Sequence, residues 1–128
     1  MFKKLFTPEE ANKRLPYIKK IVTEILNKGK ELRRIAEEYR GREVPEKFEI
    51  LTFEIEALMK ELEDLGCFYK DWNFEIGLVD FPSLIDGKEV FLCWRSDEDQ
   101  LQWYHGMDEG YSGRCRIEEN SHQDKNEK

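Results

Sequence analysis

Long apolar runs are missing from this chain. No stretch approaches the ~20 consecutive apolar residues that a membrane-spanning helix needs. The opening "MFKKLFTPEE" has basic residues with no apolar segment behind them, so no export signal is expected either. Histidine is scarce, with two residues, and cysteine numbers three. No Cys-x-x-Cys or His-x-x-x-His spacing occurs, which tells against a closed zinc site built from Cys93, His105, Cys115 and His122. No metal and no cofactor is therefore expected. An odd cysteine count without an export signal points to reduced thiols and a cytoplasmic setting. Positive charge is also short: 21 Lys and Arg stand against 28 Asp and Glu, a net −7. That balance makes nucleic acid an unlikely partner.

What is present is distributed unevenly. Residues 1–42 hold twelve Lys/Arg and six Asp/Glu, whereas residues 43–66 hold two and eight. A basic segment followed directly by an acidic one suggests two elements that pair with each other. The first segment opens with Thr7 as N-cap, Pro8 at the first helical position and Glu10 to close a capping box. Pro16 lacks an N–H and disfavours helical geometry at Leu15, so a short helix to about Arg14 and then a break are expected. From Pro16 to Arg40, Ile18, Val22, Ile25, Gly29, Leu32, Ala36 and Tyr39 form a heptad seam of the coiled-coil kind. Gly29 on that seam is expected to let a partner helix approach. Gly41 stops the helix and Pro45 starts the next, whose seam is Phe48, Leu51, Ile55, Leu58, Leu62 and Leu65, ended by Gly66. Two seams, a short connection and opposite charge predict an antiparallel helical hairpin.

Beyond the seams lies a second apolar set: Ile21, Leu26 and Ile35 on the first helix, and Ile50, Phe53, Ala57 and Met59 on the second. Roughly fifty residues of remaining fold cannot cover all of these. A homodimer is expected to bury the surplus.

After Gly66 aromatic and β-branched residues rise. Asp86-Gly87 between two apolar runs is a hairpin turn, and "LCWRSDEDQLQWYH" reads as two strands joined by an acidic loop. The expected fold is α+β: a long antiparallel helical hairpin over 8–66 with a small antiparallel β-rich cap over 67–117, of three or four strands. Residues 1–117 make one domain, and 118–128 are a polar tail expected to be disordered.

Three stretches, "LFTPEEANKRLP", "GLVDFPSLIDGKEVFLCW" and "WYHGMDEGYSGR", resemble those of an uncharacterised prokaryotic family, domain-of-unknown-function family 2203. The resemblance covers residues 4 to about 117. Its pattern falls on Phe6, Glu10, Ala11, Asn12, Leu15 and Pro16; on the run from Gly77 to Trp94 that includes Asp80, Pro82, Gly87 and Cys93; and on His105, Gly110, Tyr111, Gly113 and Arg114. Cys67, Cys115 and His122 fall outside it. The family implies the extent of the domain and carries no activity with it.

Alternation along a strand puts Leu101, Trp103 and His105 on one face and Gln102 and Tyr104 on the other. On the strand before it, Phe91, Cys93 and Arg95 share one side while Leu92 and Trp94 take the opposite one. The glycines of "GMDEGYSGR" allow close backbone approach, and Arg114 is a fork for a carboxylate or phosphate. A small anionic ligand beside this loop would meet Arg114, His105 and Asp80, with Trp103, Tyr104 or Trp94 as an aromatic wall. The competing reading has Arg114 pinning the loop to Asp80 or Asp108. A nucleophilic Cys93 with His105 and Asp80 has the right residue types, but burial would raise its thiol pKa. The residues thus favour a self-associating, non-catalytic binding domain over a small enzyme using His105, Asp80 and Arg114 on an anionic substrate. A nucleic-acid factor resting on the basic first helix is the third reading.

Overall fold

The computed structural model describes residues 2–118; the sequence reading of the tail at 119–128 lies outside them. Two helices precede a five-stranded sheet: α1 (Pro8–Glu38), α2 (Glu46–Leu65), β1 (Phe68–Tyr69), β2 (Leu78–Ile85), β3 (Lys88–Arg95), β4 (Trp103–Gly106) and β5 (Cys115–Arg116). The expected α+β arrangement is what forms. The sheet is an antiparallel meander in the order β1-β2-β3-β4-β5. It has more strands than expected because β1 and β5 are two-residue edges, too short for any alternation to show in sequence.

The capping box forms as read. Thr7 Oγ1 accepts from Glu10 N at 3.0 Å, and Glu10 Oε1 accepts from Thr7 N at 3.0 Å. The break at Pro16 does not occur: α1 runs straight through the proline. Its cost, about 3 kcal/mol in a helix interior, is offset by a stripe of buried residues on both sides of it, Ala11 and Leu15 before and Ile18, Val22 and Ile25 after. The seam's 4-3 spacing in fact begins at Ala11, a signal the sequence already carried.

α1 and α2 pair antiparallel, as the order of their contacts shows. Tyr17 donates to Glu61 at 2.5 Å, Lys28 to Glu54 at 3.0 Å, and Lys47 lies 3.3 Å from Glu31. These contacts are exposed and stabilise little. Of the three, Lys28–Glu54 joins a base of the first segment to an acid of the second, whereas Lys47–Glu31 runs the other way and Tyr17 is uncharged. Gly29 serves a different neighbour from the one expected. A Cβ there would stand 2.2 Å from Cγ of Phe74, so the glycine admits a ring from the loop before β2 rather than a helix.

Alternate residues of the sheet divide its two faces. On the inner face Val79, Phe81, Leu92 and Trp94 are buried in one cluster with Ile18, Val22, Ile25, Ile55 and Leu62 of the helices. Phe6 joins them edge-on to Phe81, held by its N–H donating to the Pro82 carbonyl at 2.7 Å. Asp86 and Gly87 take positive φ, 54° and 79°, as a two-residue hairpin turn between β2 and β3 requires. No helix among the described residues is long and apolar enough to cross a membrane.

Candidate functional site

The outer face carries the polar residues. The register sets Asp80 beside Cys93 and Cys93 beside Trp103, with Phe91 beside His105 one step along. Asp80, Cys93 and His105 are all buried. His105 Nε2 lies 3.2 Å from both carboxylate oxygens of Asp80, and its Nδ1 lies 2.9 Å from the Gly106 carbonyl. One ligand-type atom from each of Asp80, Cys93 and His105 lies within 4.8 Å of the others, a set that could hold a metal ion.

Burial sets the electrostatics here. Loss of water pushes the Asp80 carboxyl up from its ordinary value, with His105 pulling the other way. Burial, reinforced by the Asp80 charge, pushes the Cys93 thiol up to about 12. At neutral pH this sulfur carries its proton, which removes the main requirement for a nucleophilic cysteine.

The three residues face a cavity of about 290 Å³, lined also by Lys70, Phe91, Met107, Glu109 and Tyr111. Gly110 and Tyr111 belong to the glycine loop. That loop is fastened from within, since Glu109 Oε1 accepts from Gly106 N at 2.9 Å. Lys70 reaches over the Phe91 ring, 5.7 Å from its centroid. Sequence reasoning did not single out Lys70, Met107 or Glu109, because the pairings of the short strand β1 and of the loop after β4 decide their positions.

Arg114 is differently placed. Its Nη2 donates to both Glu98 oxygens at 2.9 and 2.8 Å and to the Cys93 carbonyl at 3.2 Å. The guanidinium lies between two rings, 4.9 Å from Trp103 and 4.8 Å from Tyr111. It does not line the cavity. Its carboxylate partner is Glu98, where the sequence offered Asp80 or Asp108. Glu98 sits in the acidic loop, folded back so that its carbonyl accepts from Trp94 Nε1 at 2.9 Å and its carboxylate from Arg95 N at 2.9 Å. Trp103 shares the outer face with Cys93. Trp94 and Tyr104 lie on the inner face, and Tyr104 instead borders a second hollow of about 620 Å³ with Cys115 and Met107. Of the six residues named from sequence, Asp80 and His105 thus meet at the cavity, Arg114 and Trp103 stack beside it, and two face away. Cys115 pairs with Tyr104 in the register and is not grouped with Cys93. His122 lies outside the described residues.

The model of a family described as uncharacterized conserved protein (DUF2203) matches residues 4–117. The chain belongs to that family. The DUF2203 match takes in both helices and all five strands, so the cavity and its lining are part of what the family model spans. No curated protein and no solved structure matches the chain.

Proposed function

We propose that this DUF2203 chain is a binding domain for a small anionic ligand, held in the outer-face cavity beside the "GYSGR" loop. The observation that carries this reading is the cavity itself: a concave space of about 290 Å³ with an apolar wall and a few convergent polar groups. Lys70, exposed and in no ion pair among the described residues, supplies the positive charge, and His105 supplies the buried polar contact. Arg114 acts through the loop. Closed by Glu98, it holds Tyr111 where that ring borders the space. An enzyme using Arg114 as its anion fork is less well served, because Nη2 is taken by Glu98 and the Cys93 carbonyl and the side chain does not line the cavity.

The test is thermal unfolding of the full chain with inorganic phosphate and a set of mono- and dicarboxylates. A saturable rise in Tm, lost in Lys70→Ala, supports the reading. No rise with any of these anions sinks it.

Self-association is the second part of the proposal. Ile21 and Ile35 of α1 are buried within the chain, but α2 leaves Phe53 74 % exposed and Ile50 49 % exposed, three positions apart on one helix face. A second copy of the chain, pairing α2 with α2 in a cytoplasmic homodimer, would cover them. Light scattering at high micromolar concentration should show a dimer that Phe53→Glu converts to monomer. A wild-type monomer at that concentration overturns this part.

A further inference from the structure

We infer that Asp80, Cys93 and His105 form a three-ligand site for a thiophilic divalent metal ion of the zinc class, with its fourth position open to the outer-face cavity.

The geometry of His105 leads there. The Gly106 carbonyl can only accept, so the 2.9 Å contact puts a proton on Nδ1. In a neutral ring Nε2 then bears a lone pair, and it points at both oxygens of Asp80 from 3.2 Å. A lone pair facing a carboxylate in a buried place is repulsive unless a cation lies between them, and that cation is either a proton or a metal. An imidazole whose second nitrogen is pinned to a backbone carbonyl is also the usual arrangement of a metal-bound histidine, because the outer hydrogen bond fixes tautomer and ring orientation.

Cys93 favours the metal. The Cys93 thiol hydrogen-bonds the Asp80 carboxylate, so a sulfur completes the group with all three ligand atoms inside 4.8 Å, and exchange of its proton for a metal ion would turn that contact into ligation. Two nitrogen or oxygen ligands on a tetrahedral zinc stand about 3.3 Å apart, and a sulfur stands about 3.5 Å from either. The Asp80–His105 separation already fits, and bringing in the sulfur asks for an adjustment of roughly 1 Å. Binding of the ion displaces the Cys93 proton to solvent. One carboxylate, one thiolate and one imidazole then leave a dication with no net charge, the form a buried site holds at least cost. Thiolate and imidazole select against magnesium and calcium, which take oxygen ligands. The residue spacing hid this set, because its third member is Asp80 rather than a second cysteine or histidine.

The open position points at the same cavity, so the metal would supply the cationic contact that Arg114 does not. In that respect the inference deepens the anion-binding reading and rests on it; the metal site itself does not.

The test is cobalt(II) titration of the full chain after chelator treatment. One equivalent should give a thiolate-to-cobalt charge-transfer band in the near ultraviolet and intense visible bands of four-coordinate cobalt, both displaced by zinc. Cys93→Ser should abolish the charge-transfer band, while Cys67→Ser and Cys115→Ser keep it. Asp80→Asn should weaken binding at least tenfold. Should Cys93→Ser fail to fold, X-ray absorption of the wild-type zinc form decides: one sulfur and two or three nitrogen or oxygen neighbours are expected, and a shell without sulfur overturns the site. Absence of a charge-transfer band, or its survival in Cys93→Ser, overturns it equally. So does a doubly protonated His105 imidazolium seen by nitrogen NMR in zinc-treated protein. Phosphate or carboxylates that raise Tm in metal-free protein would leave the anion reading standing even if the metal site fails.

Discussion

The two faces of the sheet are made by alternate residues of the same strands, yet they have opposite characters. The inner face is apolar at Val79, Phe81, Leu92 and Trp94, and α1 and α2 cover it. The outer face buries Asp80, Cys93 and His105 beneath a few rings and a glycine loop, next to open space. One residue of displacement along a strand separates a side chain that stabilises the fold from one that offers chemistry. The inner face draws on apolar area removed from water. The outer face holds polar groups whose burial is costly and which are kept because each has a partner.

Matched truncations on the two faces test this most sharply. Trp94 is inner and 1 % exposed, whereas Trp103, on the adjacent strand, is outer and half-buried. Trp94→Ala should cost about 4 kcal/mol and Trp103→Ala about half that, read from urea midpoints. Equal costs would mean that the outer face is as tightly packed as the inner. Next in size is Arg114→Ala, which strands the Glu98 carboxylate and unstacks Trp103 and Tyr111. A loss of about 3 kcal/mol is expected, with Arg114→Lys recovering only part because an ammonium cannot stack as a guanidinium does. Full stability in Arg114→Ala would return this residue to the list of ligand contacts.

The thiols ask whether the outer face is dry. Cys67, on the inner side, and Cys93, on the outer, are both pushed up from 9.0 to about 12, chiefly by burial. A folded-state pKa above the unfolded one means that stability is full below pH 9 and falls as pH rises toward about 12. At one unit above the unfolded value each thiol should cost about 1.4 kcal/mol. In chelator-treated, metal-free protein, Cys67→Ala and Cys93→Ala should each flatten the fall in stability, read from urea midpoints, between pH 8 and 10 by about that amount. No flattening for Cys93→Ala would show that water reaches its sulfur. The smallest effect belongs to the exposed cation: Lys70→Ala should shift stability by no more than ~0.5 kcal/mol while removing the Tm response to anions.

Most of the fold was legible because it is periodic. The α2 seam, the α1 seam as far as Gly29, the capping box at Thr7 and Glu10 and the Asp86-Gly87 turn form as the residues indicate, while toward the end of α1 Ala36 is exposed and Ile35 is buried in its place. Pro16 misled because a local penalty was weighed without the burial on both sides of it. Gly29 was placed on the right seam and assigned the wrong neighbour, since nothing local ties it to Phe74. The site was legible by half. Parity along β3 and β4 puts Cys93 and His105 on faces, but the pairing between strands decides that those faces coincide and that Asp80 joins them.

The sequence by itself determined what short-range physics determines: the cap at Thr7 and the stop at Gly66, the apolar stripe through Ile18, Val22 and Ile25, and a helical hairpin that precedes an antiparallel sheet. Tertiary structure decided which polar residues meet. Glu98 reaches Arg114 across a folded-back loop, and Asp80, Cys93 and His105 converge from three strands over 25 residues of chain. Those encounters depend on register and loop closure. Both are settled by packing the whole inner face at once, and no window of sequence contains them.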